Sequence, residues 1–379
     1  MNKVKILALT ALITISSTTA VFAQGNTSTL DIDSSIDSAI ANSYKIKNID
    51  ISIKQAQNTY NSDAKNASSY ADQLDEGGPN LDAYTRLSLM EGIANPQKED
   101  KFSEYKYTKM KSVAENEIKL SAYTQYTVIM NDKDSLDLEN EKLKNAENKY
   151  KSAQLKLGLG SISQSDEKQA EAEYYTQKSS TDKAQRQYEL DTMNMNKTVG
   201  ADIYTKYDVL FRDKLTETPY IRNYSEYLSD ALKNRAEILV GQENINLQKF
   251  EYDIANGVFP DKQSIPNRLA KAKIENASDN LEIQKLNINS EVNSLYSDLQ
   301  VKSRMLSSKK DALAMDKTNY DNAAVKYNSG VLSKSDLDDA ALNVKTAQNT
   351  VKSAQRDIWM AQLKLNQACG IGNDTSKIN

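Results

Sequence analysis

A chain of 379 residues of which 39% are apolar is long enough for two or three domains but too polar for a large globular core, which favours thin helical packing. Its 48 basic and 52 acidic residues leave a formal charge of −4, so no strong field draws it toward nucleic acid. With no histidine and one cysteine, Cys/His zinc sites, Ser-His or Cys-His nucleophile pairs and an internal disulfide are excluded, and no metal or cofactor is implied.

The first residues read Met1-Asn-Lys-Val-Lys5, then an apolar run from Ile6 to Ile15, then Val21-Phe22-Ala23. A basic start, a short apolar stretch and small residues at the last and third-last positions predict a secretory signal peptide over residues 1–23. The run is short and rich in Thr and Ser for a membrane span, so the exported chain is expected to carry no direct membrane span of its own.

Gly and Pro then punctuate long gaps. Gly77-Gly78-Pro79, Gly92 and Pro96 cluster, as do Gly257, Pro260 and Pro266. Between the clusters, unbroken runs at 97–157, 161–199, 267–329 and 331–369 predict four helices too long for an ordinary globule. A mixed segment at 201–223 connects residues 24–200 to residues 224–370, and residues 371–379 are expected to form a disordered tail.

The two large segments repeat each other. Gly160-Ser-Ile-Ser163-Gln-Ser-Asp166 matches Gly330-Val-Leu-Ser333-Lys-Ser-Asp336 at an offset of 170, and the same offset pairs Tyr150 with Tyr320, Ala184-Gln-Arg186 with Ala354-Gln-Arg356 and Gly200 with Gly370. Such register over fifty residues marks a duplicated structural unit. In each copy a glycine suited to positive φ ends one helix, while Ser163 or Ser333 caps the next with an acid three residues on. The runs are therefore two long antiparallel hairpins with tips near 158–166 and 328–336.

Leu337, Val344, Val351, Ile358 and Leu365 recur every seven residues, with Ala340, Ala347, Ala354, Ala361 and Ala368 between them. One large column beside one alanine column is a heptad seam that admits a close neighbour. The helices before the tips carry matching columns, Ala122 to Leu157 and Val292 to Tyr327. In the helix after the first tip, Thr181 interrupts the column of Tyr174, Tyr188 and Met195, so its partner surface is expected to be more polar. The fold class expected is all-α: two tandem coiled-coil hairpin repeats. Tyr150, Tyr320 and Tyr327 are read as seam packing, Cys369 as a small packing residue, and Asp132, Asp134, Asp137 and Glu139 as solvated helix charges rather than catalytic groups.

Both halves also open alike, Ala39-Ile-Ala-Asn42 and Ala231-Leu-Lys-Asn234. This start, two short helices, and a long hairpin with Gly, Ser and Asp at its tip, closing on Gly200 or Gly370, resembles the TolC family of outer-membrane efflux proteins over nearly the whole exported chain. The resemblance implies a homotrimeric α-helical tunnel whose tips meet a membrane-fusion-type adaptor and an exporter permease. The tip residues it points to are Gly158, Gly160, Ser163, Asp166, Gly330, Ser333 and Asp336. It also implies two barrel strands per half, in windows 75–101 and 257–268. Those windows show no sustained alternation and are too short for tilted spanning strands, so the chain is expected to be the helical body without the barrel. Its place is then the cell-wall space or outer face of the envelope. Two functions follow: an efflux or secretion component docking on an adaptor, or an exported coiled-coil scaffold or adhesin with no transport role.

Overall fold

The computed structural model describes residues 29–207, 209–210 and 220–378. The leader read from residues 1–23 lies outside them, as does part of the connecting segment. Eight α-helices carry the fold among the described residues: α1 (Ile32–Asn42), α2 (Tyr44–Gly77), α3 (Ala83–Gly158), α4 (Gln164–Val199), α5 (Tyr224–Asn234), α6 (Ala236–Val258), α7 (Ile265–Asn328) and α8 (Lys334–Cys369). One two-residue parallel pair, β1 (Thr29–Leu30) with β2 (Val209–Leu210), supplies the strands there. Both windows where barrel strands would lie are helix and turn.

The described helices fall into two successive sets of four, α1 to α4 in the first repeat of the sequence and α5 to α8 in the second. Both first helices have 11 residues and both last helices 36. The middle pairs differ, since α2 has 34 residues against 23 in α6 and α3 has 76 against 64 in α7. Each arm of the first repeat is thus longer by three turns, and the two arms are extended together.

Pro96 explains how. It stands 170 residues before Pro266, which occupies the first turn of α7, where a missing N–H costs nothing. In α3 the same proline lies inside the helix. The expected start at 97 is therefore corrected: Asp82 caps a start at Ala83, its Oδ1 accepting from the backbone of Tyr84 and Thr85 at 3.0 Å. Gly92 is the residue whose carbonyl the Pro96 ring would crowd. It also lets Tyr70 of α2 approach, because a Cβ there would sit 3.1 Å from that ring. At 1.5 Å per residue, α3 is about 110 Å long. The second helix of each opening pair is correspondingly not short.

The heptad columns bury as their spacing implies. Val292, Leu299 and Leu306 of α7 pack with Val351, Ile358 and Leu365 of α8, beneath Tyr227 of α5 and Ile245 of α6. In the first repeat Ala122, Tyr126 and Ile129 pack with Ile36 of α1 and with Met195 and Val199 of α4. A fully buried Leu299 or Leu365 contributes ~1.5–3 kcal/mol. Toward the tips the same columns are only half-buried at Leu143, Leu313 and Val344, and Tyr327 is exposed. The reading of Tyr327 as a packed residue is thus corrected: near the tips only pairs of helices remain to cover a column. Thr181 is buried and its hydroxyl donates to the carbonyls of Glu139 and Gln177 at 3.1 Å, the polar partner surface expected there. Cys369 is buried, and burial pushes its thiol up to about 11.

Residues 371–378 do not form a disordered tail. Ile378 is buried against Val113 of α3 and Ala236 and Val240 of α6, and Asp374 caps a short 3₁₀ turn at Thr375–Lys377. The backbone of Ala236 donates to the carbonyl of Ile371 at 3.0 Å, and the Asn116 amide to that of Gly372 at 2.9 Å. One apolar anchor and two long-range hydrogen bonds offset the ordering entropy of so short a segment.

Candidate functional site: the paired hairpin tips

At the first tip α3 runs out at Gly158, and Gly160 takes φ +68°. Its N–H donates to the carbonyl of Leu157 at 2.9 Å and that of Ser161 to Lys156 at 2.8 Å, which satisfies the orphan carbonyls of the helix end. Ser163 then caps α4: its Oγ accepts from the backbone of Asp166 at 3.2 Å, while Asp166 Oδ2 accepts from the Ser163 N–H at 3.0 Å and hydroxyl at 2.8 Å. These donors hold the Asp166 carboxyl below its ordinary range.

The second tip repeats the geometry. Gly330 has φ +72°, its N–H donates to Tyr327, and that of Val331 to Lys326, both at 2.9 Å. Ser333 accepts from the backbone of Asp336 at 3.2 Å and donates its hydroxyl to the same carboxylate at 2.7 Å. All seven residues singled out in the sequence therefore sit at the two tips, and Ser163, Asp166, Ser333 and Asp336 are engaged in their own caps. Gly160 and Gly330 are required by positive φ. Gly158 has a helical backbone, and a Cβ at any of the three would meet nothing within 4 Å. The space beside all three is open, so no close approach within the described residues selects glycine there.

Around them stand residues the sequence reading passed over. Leu155, Leu159, Val325 and Val331 are 66–81% exposed. Their signal was available, because Leu155 and Val325 are repeat mates at the 170 offset and are apolar residues two positions off the seam columns of Leu157 and Tyr327. Between the tips lies a cavity of about 570 Å³ lined by Asn145, Lys149, Lys156, Asp166, Lys334 and Asp338. Lys149 of α3 closes it by bridging Asp339 of α8 at 2.9 Å.

Behind the cavity a ladder of charges holds hairpin to hairpin. Lys345 reaches Glu141 at 2.8 Å. Deeper in, Asp134 takes Arg356 Nη2 at 2.5 Å and Lys352 Nζ at 3.1 Å. Asp134 and Arg356 are 6% and 4% exposed, so Asp134 is not the solvated charge expected. Burial pushes its carboxyl up, and the bonds from Arg356 and Lys352 outweigh that and hold it low. Arg186, the repeat mate of Arg356, is exposed on α4, since no described helix covers that face. A second open face lies on α7. Opposite its core columns it presents Leu269, Ile283, Leu286, Val301, Met305 and Met315, each between 45 and 69% exposed.

This architecture has solved counterparts. The CmeC outer membrane channel of Campylobacter jejuni matches with a TM-score of 0.62 at 14% identity, covering 91% of this chain and 88% of that one. The fold is that of TolC-type outer-membrane efflux channels. The MtrE outer membrane channel of Neisseria gonorrhoeae matches at 0.61 with 14% identity over 91% and 90% of the two chains. The outer membrane protein VceC of Vibrio cholerae matches at 0.60 with 12% identity over 90% and 97%. No protein-family model matches the sequence, nor does any curated protein sequence. The likeness is thus one of TolC-type shape held by a different set of side chains. No described helix is long and apolar enough to cross a membrane.

Proposed function

We propose that this chain is an exported, non-enzymatic component of an efflux or secretion assembly, acting in the cell-wall space or at the outer face of the envelope, with its hairpin tips docking on a membrane-fusion-type adaptor or an exporter permease. The observation that carries this is the pairing of open apolar side chains, Leu155, Leu159, Val325 and Val331, with glycine turns that leave room for a partner's backbone. Caps that satisfy themselves leave the tip polar groups without an unmet demand, so a partner's affinity would come from apolar burial. Substituting Leu159→Asp together with Val331→Asp keeps both left-handed glycines and should abolish capture of the adaptor in a pull-down while leaving far-ultraviolet circular dichroism unchanged. Bulky residues at Gly160 or Gly330 would instead strain the turn, because their φ is positive. Undiminished capture by the double variant would favour an exported scaffold.

A wall of helices requires copies of the chain side by side, and the two open faces supply them. The apolar stripe of α7 is the repeat counterpart of the α3 surface that α8 covers, and the Arg186 face of α4 is the counterpart of α8. Placing α4 of one copy on α7 of the next would bury the stripe and set Asp182 opposite Arg304, as Lys352 faces Asp134 within one chain. Such a head-to-tail contact closes a ring, for which a homotrimer is the proposal. Met305→Glu should convert the assembly to monomer in mass-resolved chromatography; a monomeric wild type would remove the tunnel from the proposal.

A further inference from the structure

We infer that the first repeat carries a proton-operated clamp, in which α3 is held to α4 by a proton shared between Asp132 and Asp191 and to α2 by one shared between Asp63 and Asp100. This rests on side-chain geometry and stands apart from the docking proposal. Asp132 Oδ2 and Asp100 Oδ2 are both shielded from water and have no donor. In each case the group within hydrogen-bonding reach across the helix interface is another carboxyl, Asp191 or Asp63. Two carboxylates have only acceptors to offer each other. A single proton on the pair supplies the missing donor and removes the repulsion at once.

Among the described residues, the neighbouring cations are engaged elsewhere or lie further along their helix. Asp191 is fixed by amides of its own helix, Gln187 Nε2 at 2.6 Å and Asn194 Nδ2 at 3.5 Å. Lys197 lines the same cavity between α3 and α4, of about 440 Å³, but nearly two turns away. Beside Asp132 on α3, Lys133 is paired with Asp137, and the Arg356 guanidinium of α8 is taken by Asn131 and Asp134. At the other pair, Asp63 accepts from the Asn66 amide at 3.4 Å. Lys101 is paired with Glu104, whose other partner is Gln57 of α2, and Lys98 lies over the Phe250 ring of α6. Lys273 of α7 bonds Glu251 of α6, the acid that faces Glu99. Burial and the neighbouring acid push both Asp132 and Asp100 up, Asp132 to about 7.

The second repeat shows that the fold does not need these acids. At the offset of 170, Asp132 and Asp191 become Lys302 and Ala361, and Lys302 is satisfied by Asp298 at 2.9 Å. At the offset of 192 set by Asn42 and Asn234, Asp63 becomes Ala255, and at the offset of 170 Asp100 becomes Ala270. Those two alanines are buried together in one apolar cluster. Where one repeat packs methyl groups, the other places two facing carboxyls.

The sign follows from linkage. A carboxyl that holds its proton more tightly in the folded chain adds stability that is complete below the unfolded value of ~3.9 and lost as pH rises to the folded value. The first hairpin should therefore loosen between mildly acidic and neutral pH while the second does not. The test is thermal unfolding of the exported chain at pH 5 and pH 8, for wild type and for Asp132→Asn, Asp100→Asn and the double variant. An asparagine supplies its donor at every pH, so each single change should raise Tm by roughly 2–4 °C at pH 8, and Asp132→Asn should leave it unchanged at pH 5, below the value of about 7 to which Asp132 is pushed. Hydrogen exchange, corrected for intrinsic rates, should show protection of α3 and α4 falling at pH 8 relative to α7 and α8. Should the variants misfold, the infrared carbonyl band of a protonated carboxyl in wild type, present at pH 6 and gone by pH 9, reads the shared proton directly. Its absence at pH 6, a variant effect equal at both pH values, or a wild-type Tm raised at pH 8 by calcium but not by magnesium or sodium would each overturn the clamp.

Discussion

Replacing Arg235 with alanine should destabilise the chain by about 3–5 kcal/mol, seen as a lower guanidinium midpoint at unchanged slope. Arg235 is 1% exposed and stands between α5 and α6. Its guanidinium bonds both carboxylate oxygens of Glu237, Glu291 of α7 at 3.0 Å and the carbonyl of Ala368 in α8 at 3.2 Å. Four helices and the closing segment meet at this one side chain, because Lys377 completes the group on Glu291 at 2.9 Å. Glu237 is itself buried at 4%, so removing the guanidinium strands a charge that has no water to turn to, and that is where most of the loss arises. Two further variants separate this from lost packing. Arg235→Lys keeps the charge but not the fork and should fall between wild type and alanine. Adding Glu237→Ala to Arg235→Ala should recover part of the loss, since the stranded carboxylate is then gone. A cost no larger than that of an exposed arginine would show that the network does not hold the repeat together.

The contrast between the tips and this network explains what the sequence discloses. A tip is local: Gly160, Ser163 and Asp166 lie within seven residues, and capping chemistry constrains all of them, so spacing alone places the turn. Columns such as Val292, Leu299 and Leu306 are legible for a similar reason, since period and secondary structure are one constraint. Proline misleads where context decides. Pro96 reads as a breaker, yet thirteen residues of α3 precede it, while its repeat mate Pro266 does stand in the first turn of a helix. Charged residues are the least legible. Arg186 and Arg356 occupy the same Ala-Gln-Arg motif, one exposed and one buried, and only the packing of α8 on α3 separates them. The ordered closing segment escapes notice likewise, its order residing in Ile378 and in partners more than a hundred residues away.

That packing leads to the second large effect. Asp134→Ala should cost about 3–5 kcal/mol, and the loss should appear as separation of the two hairpins before either one melts. Asp134 and Arg356 are 222 residues apart, both buried, and Asp134 also holds Lys352, while its backbone carbonyl accepts from Asn349 at 2.7 Å. The alanine variant leaves the Arg356 guanidinium with Asn131 alone, a neutral acceptor for a buried cation. Within each hairpin the apolar seams are untouched, so α3 with α4 and α7 with α8 keep their own contacts, and hydrogen exchange should rise first along the α3–α8 interface. The pH dependence has a definite sign. A carboxyl held low contributes stability that is present above its unfolded value and lost as pH falls through its folded one. The wild type should thus lose this clasp only in strong acid, and Asp134→Asn should remove that acid-labile part while sparing the shape of the pocket. Opposite slopes follow for neighbouring acids on one helix: Asp132 tightens α3 on α4 as pH falls, whereas Asp134 releases α3 from α8. Acidification should therefore firm the first hairpin and, at much lower pH, free it from the second, an order that hydrogen exchange across a pH series reads out helix by helix.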